Sequence, residues 1–129
     1  MNINWNGVFP AISTQFNDDG SINYQSNARM LEQLINDGID GIIALGTIGE
    51  NLSLSPQEKR EFIKHTVETV NGRIIVLSGC SENTADAAAQ YAQDIQDTGV
   101  DGLMLLPAMV YRGCERETLH HYQTVARAT

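Results

Sequence analysis

The segment Gly46-Thr47-Ile48-Gly49-Glu50 has the residue types best suited to binding a small ligand. Thr47 offers a hydroxyl, and the two glycines allow a tight turn that brings backbone N–H groups close to a ligand. The apolar run before it, residues 42–45, predicts a strand buried on both faces of a parallel sheet. Since ligands bind at the carboxyl ends of such strands, we expect a site here. The Thr47 hydroxyl could instead bond only the local backbone. We expect Glu50 to hold the loop by accepting backbone N–H groups rather than to act as an acid or a base.

The two lysines of the chain, Lys59 and Lys64, both fall within a predicted helix. Schiff-base chemistry needs an amine that is neutral and held in a desolvated pocket. Glu58, Glu61 and Glu68 flank the lysines in the sequence and favour the charged ammonium. We therefore interpret both lysines as part of a solvated helix surface.

The histidines and cysteines match no pattern of a metal site. His120 and His121 are adjacent on a predicted helix, so they cannot share a face and chelate one metal. Together with His65 they are interpreted as surface histidines. Cys80 and Cys114 fit no metal-ligand spacing, and we interpret them as free thiols.

The composition excludes several classes of function. The 129 residues suffice for a single domain over residues 1–129, with 42% hydrophobic and 19% charged residues. A net charge of −8, without a Lys/Arg cluster, makes nucleic acid a poor partner. No apolar run approaches the ~18 residues that a membrane span requires, so we expect no membrane partner. The N-terminus lacks the features of a signal peptide, and we expect a cytoplasmic protein.

Four strand patterns alternate with four helix patterns along the chain. Strands are predicted over residues 8–14, 42–45, 74–77 and 103–106, and Pro10 predicts an edge or an irregularity in the first of them. Helices are predicted over residues 23–36, over 56–70 and from 115 onward, with one more that ends at Gly99. Ser55 and Glu58 form a predicted capping box at the start of the second helix, and Asn83 or Thr84 is predicted to cap the third. Apolar spacing predicts the buried faces of the last two helices, which comprise Ala88, Tyr91, Ala92 and Ile95 in one, and Leu119, Tyr122 and Val125 in the other.

A five-residue pattern occurs twice, as Gly38-Ile39-Asp40-Gly41-Ile42 and as Gly99-Val100-Asp101-Gly102-Leu103. Each copy combines a helix-ending glycine, a short turn and a buried strand. Strict strand–helix alternation implies right-handed crossovers and a parallel sheet. The residues leave two architectures open, part of a (β/α)8 barrel or a small, open, doubly wound sheet.

Three segments, Gly7–Ala11, Gly46–Glu50 and Asp101-Gly102, together resemble the start of the dihydrodipicolinate synthase / N-acetylneuraminate lyase family. Members of this family are (β/α)8-barrel class I lyases that act on pyruvate or 2-keto acids through a lysine Schiff base. The resemblance runs from Trp5 to Thr129 and implies an α/β fold, the N-terminal (β/α)4 portion of a TIM (β/α)8 barrel. Residues 106–118 are more similar to the 2-keto-3-deoxy sugar acid dehydratase branch.

The resemblance implies a substrate-binding set in the loop, namely Gly46, Thr47, Ile48 and Gly49. Thr47 matches the hydroxyl residue that contacts the keto acid and joins a proton relay. Ile48 stands where the family commonly has a second hydroxyl, which leaves its backbone N–H to bind a carboxylate. Tyr111 is the second catalytic residue implied, because it lies near the tyrosine that the synthases place across a subunit interface. An ungapped alignment places Val110 there instead.

The function implied by the resemblance is the N-terminal part of a class I lyase, aldolase or dehydratase acting on pyruvate-type or 2-keto-3-deoxy acids. No metal or organic cofactor is implied, because the lysine serves as the electron sink, and a homo-oligomer is expected. Family members are roughly twice as long, about 250 residues or more. Their Schiff-base lysine lies beyond Thr129, so we expect this chain alone to be catalytically inactive. The alternative is a non-catalytic half-barrel that serves as a binding or assembly module through its unpaired strand edges.

Overall fold

Helices and strands alternate from Tyr24 to Ala128. The computed structural model describes residues 3–129. Its elements, in chain order, are α1 (Tyr24–Asn36), β1 (Gly41–Ala44), a short 3₁₀ helix (Asn51–Ser53), α2 (Pro56–Val70), β2 (Ile75–Cys80), α3 (Ala85–Gln96), β3 (Gly102–Leu105) and α4 (Glu115–Ala128).

The helices begin where the capping signals of the sequence predict. At the start of α2, Ser55 Oγ accepts a hydrogen bond from the Glu58 backbone N–H at 3.3 Å, and Glu58 Oε2 accepts one from the Ser55 N–H at 2.8 Å. These bonds complete a capping box and lower the pKa of the Glu58 carboxyl. Thr84 caps α3 by accepting a hydrogen bond from the Ala87 N–H at 3.1 Å. The predicted starts of both helices are confirmed.

The three strands form a parallel sheet in the order β1-β2-β3. Gly41 pairs with Ile75 in one ladder, and Leu77 pairs with Gly102 in the next. The strands therefore lie side by side in the order of the sequence, as they do around a barrel. A doubly wound sheet reverses its strand order partway along the chain. The N-terminal segment lies on the other side of β1, through the parallel bridge of Ala11 with Ile43, so four consecutive segments keep the sequential order and the open doubly wound alternative is excluded.

The N-terminal segment, residues 8–14, lies beside β1 but forms no regular strand. Ala11 makes a single parallel bridge with Ile43, in which the Ile43 N–H donates to the Pro10 carbonyl at 2.9 Å and the Ile12 N–H donates to the Ile43 carbonyl at 3.0 Å. The extended segment is predicted correctly with its irregularity at Pro10, but it makes an isolated bridge rather than a regular strand. Pro10 has no N–H to donate, which explains why the ladder is interrupted.

The main core lies between the sheet and the helices. The predicted inward face of α3 is confirmed, since Ala88, Tyr91, Ala92 and Ile95 are all buried. The Tyr91 hydroxyl lies 2.7 Å from the hydroxyl of Ser78 on β2. Burial also raises the pKa of the neighbouring Cys80 thiol to about 11, whereas Cys114 is exposed. Cys80 is therefore a packing residue held in its thiol form.

The inward face of α4 differs from the prediction. Val125 is buried, but Leu119 is 55% exposed and Tyr122 is 39% exposed. His121 takes the predicted place of an apolar residue, because it is buried with Nε2 lying 3.1 Å from the Leu106 carbonyl. The interpretation of His121 as a surface residue is therefore wrong. A carbonyl at the end of β3 gives the imidazole a polar partner, which makes its burial tolerable.

The repeated pattern fixes the register of two strands. Asp40 Oδ2 accepts a hydrogen bond from the Val8 N–H at 2.7 Å, and Asp101 Oδ2 accepts one from the Val76 N–H at 2.8 Å. In each copy the aspartate backbone N–H also donates to the carbonyl of the same valine. Each aspartate thus binds both backbone groups of one residue on the preceding extended segment. The aspartate of each repeat therefore aligns its strand with the extended segment beside it.

We expect the Asp101→Ala substitution to lower the free energy of unfolding by about 2 kcal/mol, because it leaves the Val76 N–H without its charged acceptor. Asp101→Asn keeps an acceptor oxygen and should cost less than about 1 kcal/mol. Chemical denaturation of the two variants beside the wild type measures the difference. Equal losses for both variants would contradict the role given to this hydrogen bond.

Candidate functional site

The Gly46–Glu50 loop turns sharply at the carboxyl end of β1. β1 ends at Ala44, one residue earlier than predicted, because Leu45 adopts the left-handed conformation with φ of 54°. The loop then closes through hydrogen bonds from the Gly49 N–H to the Gly46 carbonyl at 3.0 Å and from the Glu50 N–H to the Thr47 carbonyl at 3.1 Å. These bonds form two overlapping turns, and Thr47 and Ile48 are the two central residues of the first.

The tip of the loop carries three polar groups that a ligand could use. Thr47 is exposed, and Ile48 is 59% exposed. Within residues 3–129, their two backbone N–H groups and the Thr47 hydroxyl take part in no hydrogen bond. Consecutive unpaired N–H groups in a turn form a concavity that suits an anion. The loop therefore presents two N–H donors and one hydroxyl to a ligand at the carboxyl end of the sheet.

Two buried side chains hold the loop from behind. The Thr14 hydroxyl donates to the Gly49 carbonyl at 2.7 Å. The Asn51 side-chain amide donates to the Leu45 carbonyl at 3.0 Å and to the Gly79 carbonyl at 3.2 Å. No sequence pattern marks Thr14 or Asn51 as part of the site, except that Asn51 directly follows the motif. Their importance arises from contacts between segments that are distant in the chain.

Gly79 on β2 allows the loop to approach the sheet. A Cβ atom on Gly79 would lie 2.0 Å from the Leu45 carbonyl oxygen and 3.0 Å from the Gly46 nitrogen. Both neighbours are backbone atoms, so the contact cannot be relieved by rotating a side chain. Residue 79 must therefore be a glycine for the loop to lie where it is observed.

Tyr111 lies in a different loop from the other predicted site residues. Gly46, Thr47, Ile48 and Gly49 lie together in the loop after β1. Tyr111 is 58% exposed in the loop after β3, and Val110 is 70% exposed beside it. Tyr111 lines a cavity of about 480 Å³ with residues at the start of α3 and on α4, and none of the Gly46–Glu50 loop lines that cavity. The assignment of Tyr111 as catalytic stays a prediction.

Glu50 does not hold the loop through its side chain. It lies in the left-handed conformation with φ of 58°, it is exposed, and its carboxylate accepts no hydrogen bond among the described residues. The expectation that it accepts backbone N–H groups is therefore wrong. The function that we assigned to Glu50 belongs to Thr14 and Asn51, which are buried and so can bond the loop away from water.

Lys59 is buried, which contradicts its interpretation as part of a solvated helix surface. It is 5% exposed, and its Nζ lies 2.6 Å from Glu82 Oε1. The pair joins α2 to the segment between β2 and α3. Lys64 follows the prediction, because it is exposed and lies 4.0 Å from Glu68. The amine of Lys59 is occupied by its ion pair and Lys64 lies on a helix surface, so neither lysine offers a free amine to the loop.

Two further kinds of site are absent from the described residues. Between residues 3 and 129, no three His, Cys, Asp or Glu side chains are grouped so that they could hold a metal ion. No helix in the same range is long and apolar enough to cross a membrane.

Solved structures share this arrangement of strands and helices. The chain superposes with a TM-score of 0.93 on YagE, a prophage protein of the dihydrodipicolinic acid synthase family from E. coli K12 that was solved in complex with pyruvate. The two are 26% identical, and the match covers 97% of this chain and 42% of YagE. The 4-hydroxy-tetrahydrodipicolinate synthase from Methylacidiphilum fumariolicum SolV matches with a TM-score of 0.91 and 32% identity, over 95% of this chain and 41% of that one. The fold is the N-terminal (β/α)4 portion of a TIM barrel.

Sequence comparison gives the same relatives. The 4-hydroxy-tetrahydrodipicolinate synthase of Methanococcus maripaludis strain C7 is 34% identical over 122 residues, which are 95% of this chain and 42% of that enzyme. The chain thus spans less than half the length of the curated relatives that it matches. The model of the dihydrodipicolinate synthetase family matches residues 4–129. From these matches over nearly its whole length, the chain belongs to the dihydrodipicolinate synthetase family.

Proposed function

We propose that the chain is the N-terminal part of a class I lyase, in which the Gly46–Glu50 loop binds the carboxylate of a pyruvate-type or 2-keto-3-deoxy acid. The observation that carries the proposal is the pair of unpaired N–H groups of Thr47 and Ile48 at the carboxyl end of β1. A carboxylate presents two oxygens, and charge-assisted hydrogen bonds from two adjacent N–H groups suit it. That YagE was solved in complex with pyruvate supports the choice of ligand.

Thr47 and Ile48 have different roles in this proposal. The free Thr47 hydroxyl lies beside the two N–H groups, so it can hydrogen-bond to the keto acid and relay a proton. Ile48 contributes only its backbone N–H, because its side chain has no polar atom. The exposed Tyr111 is proposed to act in another subunit of a homo-oligomer, which its high exposure permits. The similarity of residues 106–118 to the sugar acid dehydratases favours a 2-keto-3-deoxy acid as substrate.

The Schiff-base lysine is proposed to lie in a part of the longer protein that this chain does not include. Lys59 is buried in an ion pair with Glu82, and Lys64 is exposed on the outer surface of α2. A nucleophilic lysine must be neutral and directed at the substrate carbonyl. Neither lysine meets both conditions, so the 129 residues alone are expected to be inactive.

Reductive trapping tests the proposal. The intact mass of the protein in its source cells first defines its natural length. With pyruvate, the lysine amine and the keto carbon form an imine with loss of water, and borohydride reduces the imine to a stable secondary amine. We expect the natural-length protein to gain this mass on one lysine, other than Lys59 and Lys64. The 129-residue chain should gain none. Trapping on Lys59 or Lys64, or no trapping on a full barrel, would contradict the proposal.

A half-barrel assembly module is the second candidate. All four residues of β3 are only half-buried, and an apolar groove of about 470 Å³ runs between α3, β3 and α4. An unpaired strand edge beside such a groove favours pairing with another chain. A natural mass of 14.2 kDa would favour this candidate. A mass near twice that value would favour the lyase.

A further inference from the structure

Asn51 is a buried side chain behind the loop, and its amide nitrogen donates two hydrogen bonds. It is 1% exposed, and Nδ2 donates to the Leu45 carbonyl at 3.0 Å and to the Gly79 carbonyl at 3.2 Å. An amide group has two N–H donors, so both are used. Asn51 Oδ1 is buried and has no partner among the described residues. Burying this oxygen without a partner costs free energy, which indicates that the contribution of the side chain comes from its two N–H donors.

The two carbonyls that Asn51 binds belong to different parts of the fold. Leu45 is the left-handed residue at which the chain leaves β1, and Gly79 is part of β2. Since a left-handed conformation is unfavourable for leucine, the loop needs an interaction that holds this backbone in place. Asn51 supplies that interaction and ties it to a central strand. Its own backbone N–H also donates to the Gly46 carbonyl at 3.4 Å.

The orientation of Leu45 determines where the next backbone N–H groups point. The loop is fixed at its beginning by Asn51 and near its end by Thr14, which binds the Gly49 carbonyl. Gly46, Thr47 and Ile48 lie between these two anchors, and the last two are exposed, with backbone N–H groups that make no hydrogen bond within residues 3–129. We propose that Asn51 is a positioning residue, which aims the Thr47 and Ile48 N–H groups at the substrate carboxylate. This inference rests on the proposed function and deepens it.

The test compares Asn51→Asp and Asn51→Ala in the natural-length protein. The rate of reductive trapping, measured against pyruvate concentration, gives a half-saturating concentration and a limiting rate. Misaligned N–H groups weaken binding of the carboxylate without changing the lysine chemistry. We therefore expect the half-saturating concentration to rise about tenfold in both variants while the limiting rate stays within about twofold. Asn36→Asp, on an exposed residue at the end of α1, is the matched control and should change neither.

The pH dependence separates positioning from general loss of structure. The carboxyl that Asn51→Asp introduces would be buried and would face two carbonyl oxygens, so its pKa would be raised, and only its protonated form can donate a hydrogen bond. The half-saturating concentration of Asn51→Asp should therefore fall as the pH is lowered from about 8 to about 5.5. Asn51→Ala has no such group and should show no recovery. Asn51→Ser keeps one donor, is expected to lie between the wild type and Asn51→Ala, and replaces either variant if that variant does not fold.

Hydrogen exchange of the loop gives a readout that does not depend on pyruvate. In Asn51→Asp at neutral pH, the hydrogen-bonded amides of Gly49, Glu50 and residue 51 should exchange about tenfold faster than in Asn36→Asp. Unchanged exchange in this segment, or an unchanged half-saturating concentration in the variants when the wild type does trap pyruvate, would overturn the inference. A wild type that traps no pyruvate, with fast exchange in the variant, would overturn the proposed function and leave the anchoring of the loop by Asn51 standing.

Discussion

The Gly79→Ala substitution is expected to lower the free energy of unfolding by about 3 kcal/mol, the upper end of the usual cost of overpacking. The added methyl would lie 2.0 Å from the Leu45 carbonyl oxygen, so either β2 or the loop must move. Movement of the loop would also separate Asn51 from one of its two acceptors. The pyruvate binding that we propose for the natural-length protein should therefore be lost together with stability.

Chemical denaturation measures this loss, with Gly113→Ala as the control. A Cβ on Gly113 would have its nearest neighbour, the Thr118 hydroxyl, at 3.5 Å, which is an ordinary contact. Gly113→Ala should change the free energy of unfolding by less than about 1 kcal/mol. Similar values for the two variants would show that the loop does not need the close approach at Gly79.

The Lys59→Met substitution is expected to destabilise the protein by about 3 kcal/mol, because it leaves Glu82 without its partner. The Glu82 side chain is only 20% exposed, so water compensates poorly for the lost ammonium. Lys64→Met is the matched control. That lysine is 68% exposed and 4.0 Å from its carboxylate, so its loss should cost less than about 0.5 kcal/mol.

A double substitution distinguishes the ion pair from simple packing. Lys59→Met combined with Glu82→Gln removes both charges, and it should restore part of the stability lost in Lys59→Met. Thermal or chemical unfolding of the wild type, the two single variants and the double variant gives the coupling energy of the pair. If Lys59→Met behaved like Lys64→Met, or if the double variant were the least stable, the pair would not be the reason for the burial of Lys59.

Local patterns identified most of the elements and the family. Ser55 marked where α2 begins, and the pair Asn83 and Thr84 marked the start of α3 to within one residue, because capping depends on residues close in sequence. The apolar spacing of α3 identified its buried face, since a helix that packs on one side repeats every 3.6 residues. The motif of residues 46–50 identified the loop and, together with Gly7–Ala11 and Asp101-Gly102, the family to which the chain belongs.

Other features required contacts between distant segments. Lys59 is charged and was interpreted as exposed, yet Glu82, which lies 23 residues later, makes its burial possible. His121 is buried because the Leu106 carbonyl faces it, and Asn27 is buried because its amide bonds both backbone groups of Gln15. A polar residue can be buried when it has a partner, and nothing in the neighbouring sequence shows where that partner lies.

The sequence by itself determined the order of the elements, the position of the candidate loop and the family. Only the tertiary structure decided what holds the loop. Thr14, Asn51 and Gly79 come from three separate segments and meet behind it at the carboxyl end of the sheet. The spacing of these three residues along the chain follows no regular pattern. The helical crossovers bring the carboxyl ends of the parallel strands to one edge of the sheet, and this brings the three residues together. The binding groups follow from a local motif, whereas their orientation follows from the packing of the sheet.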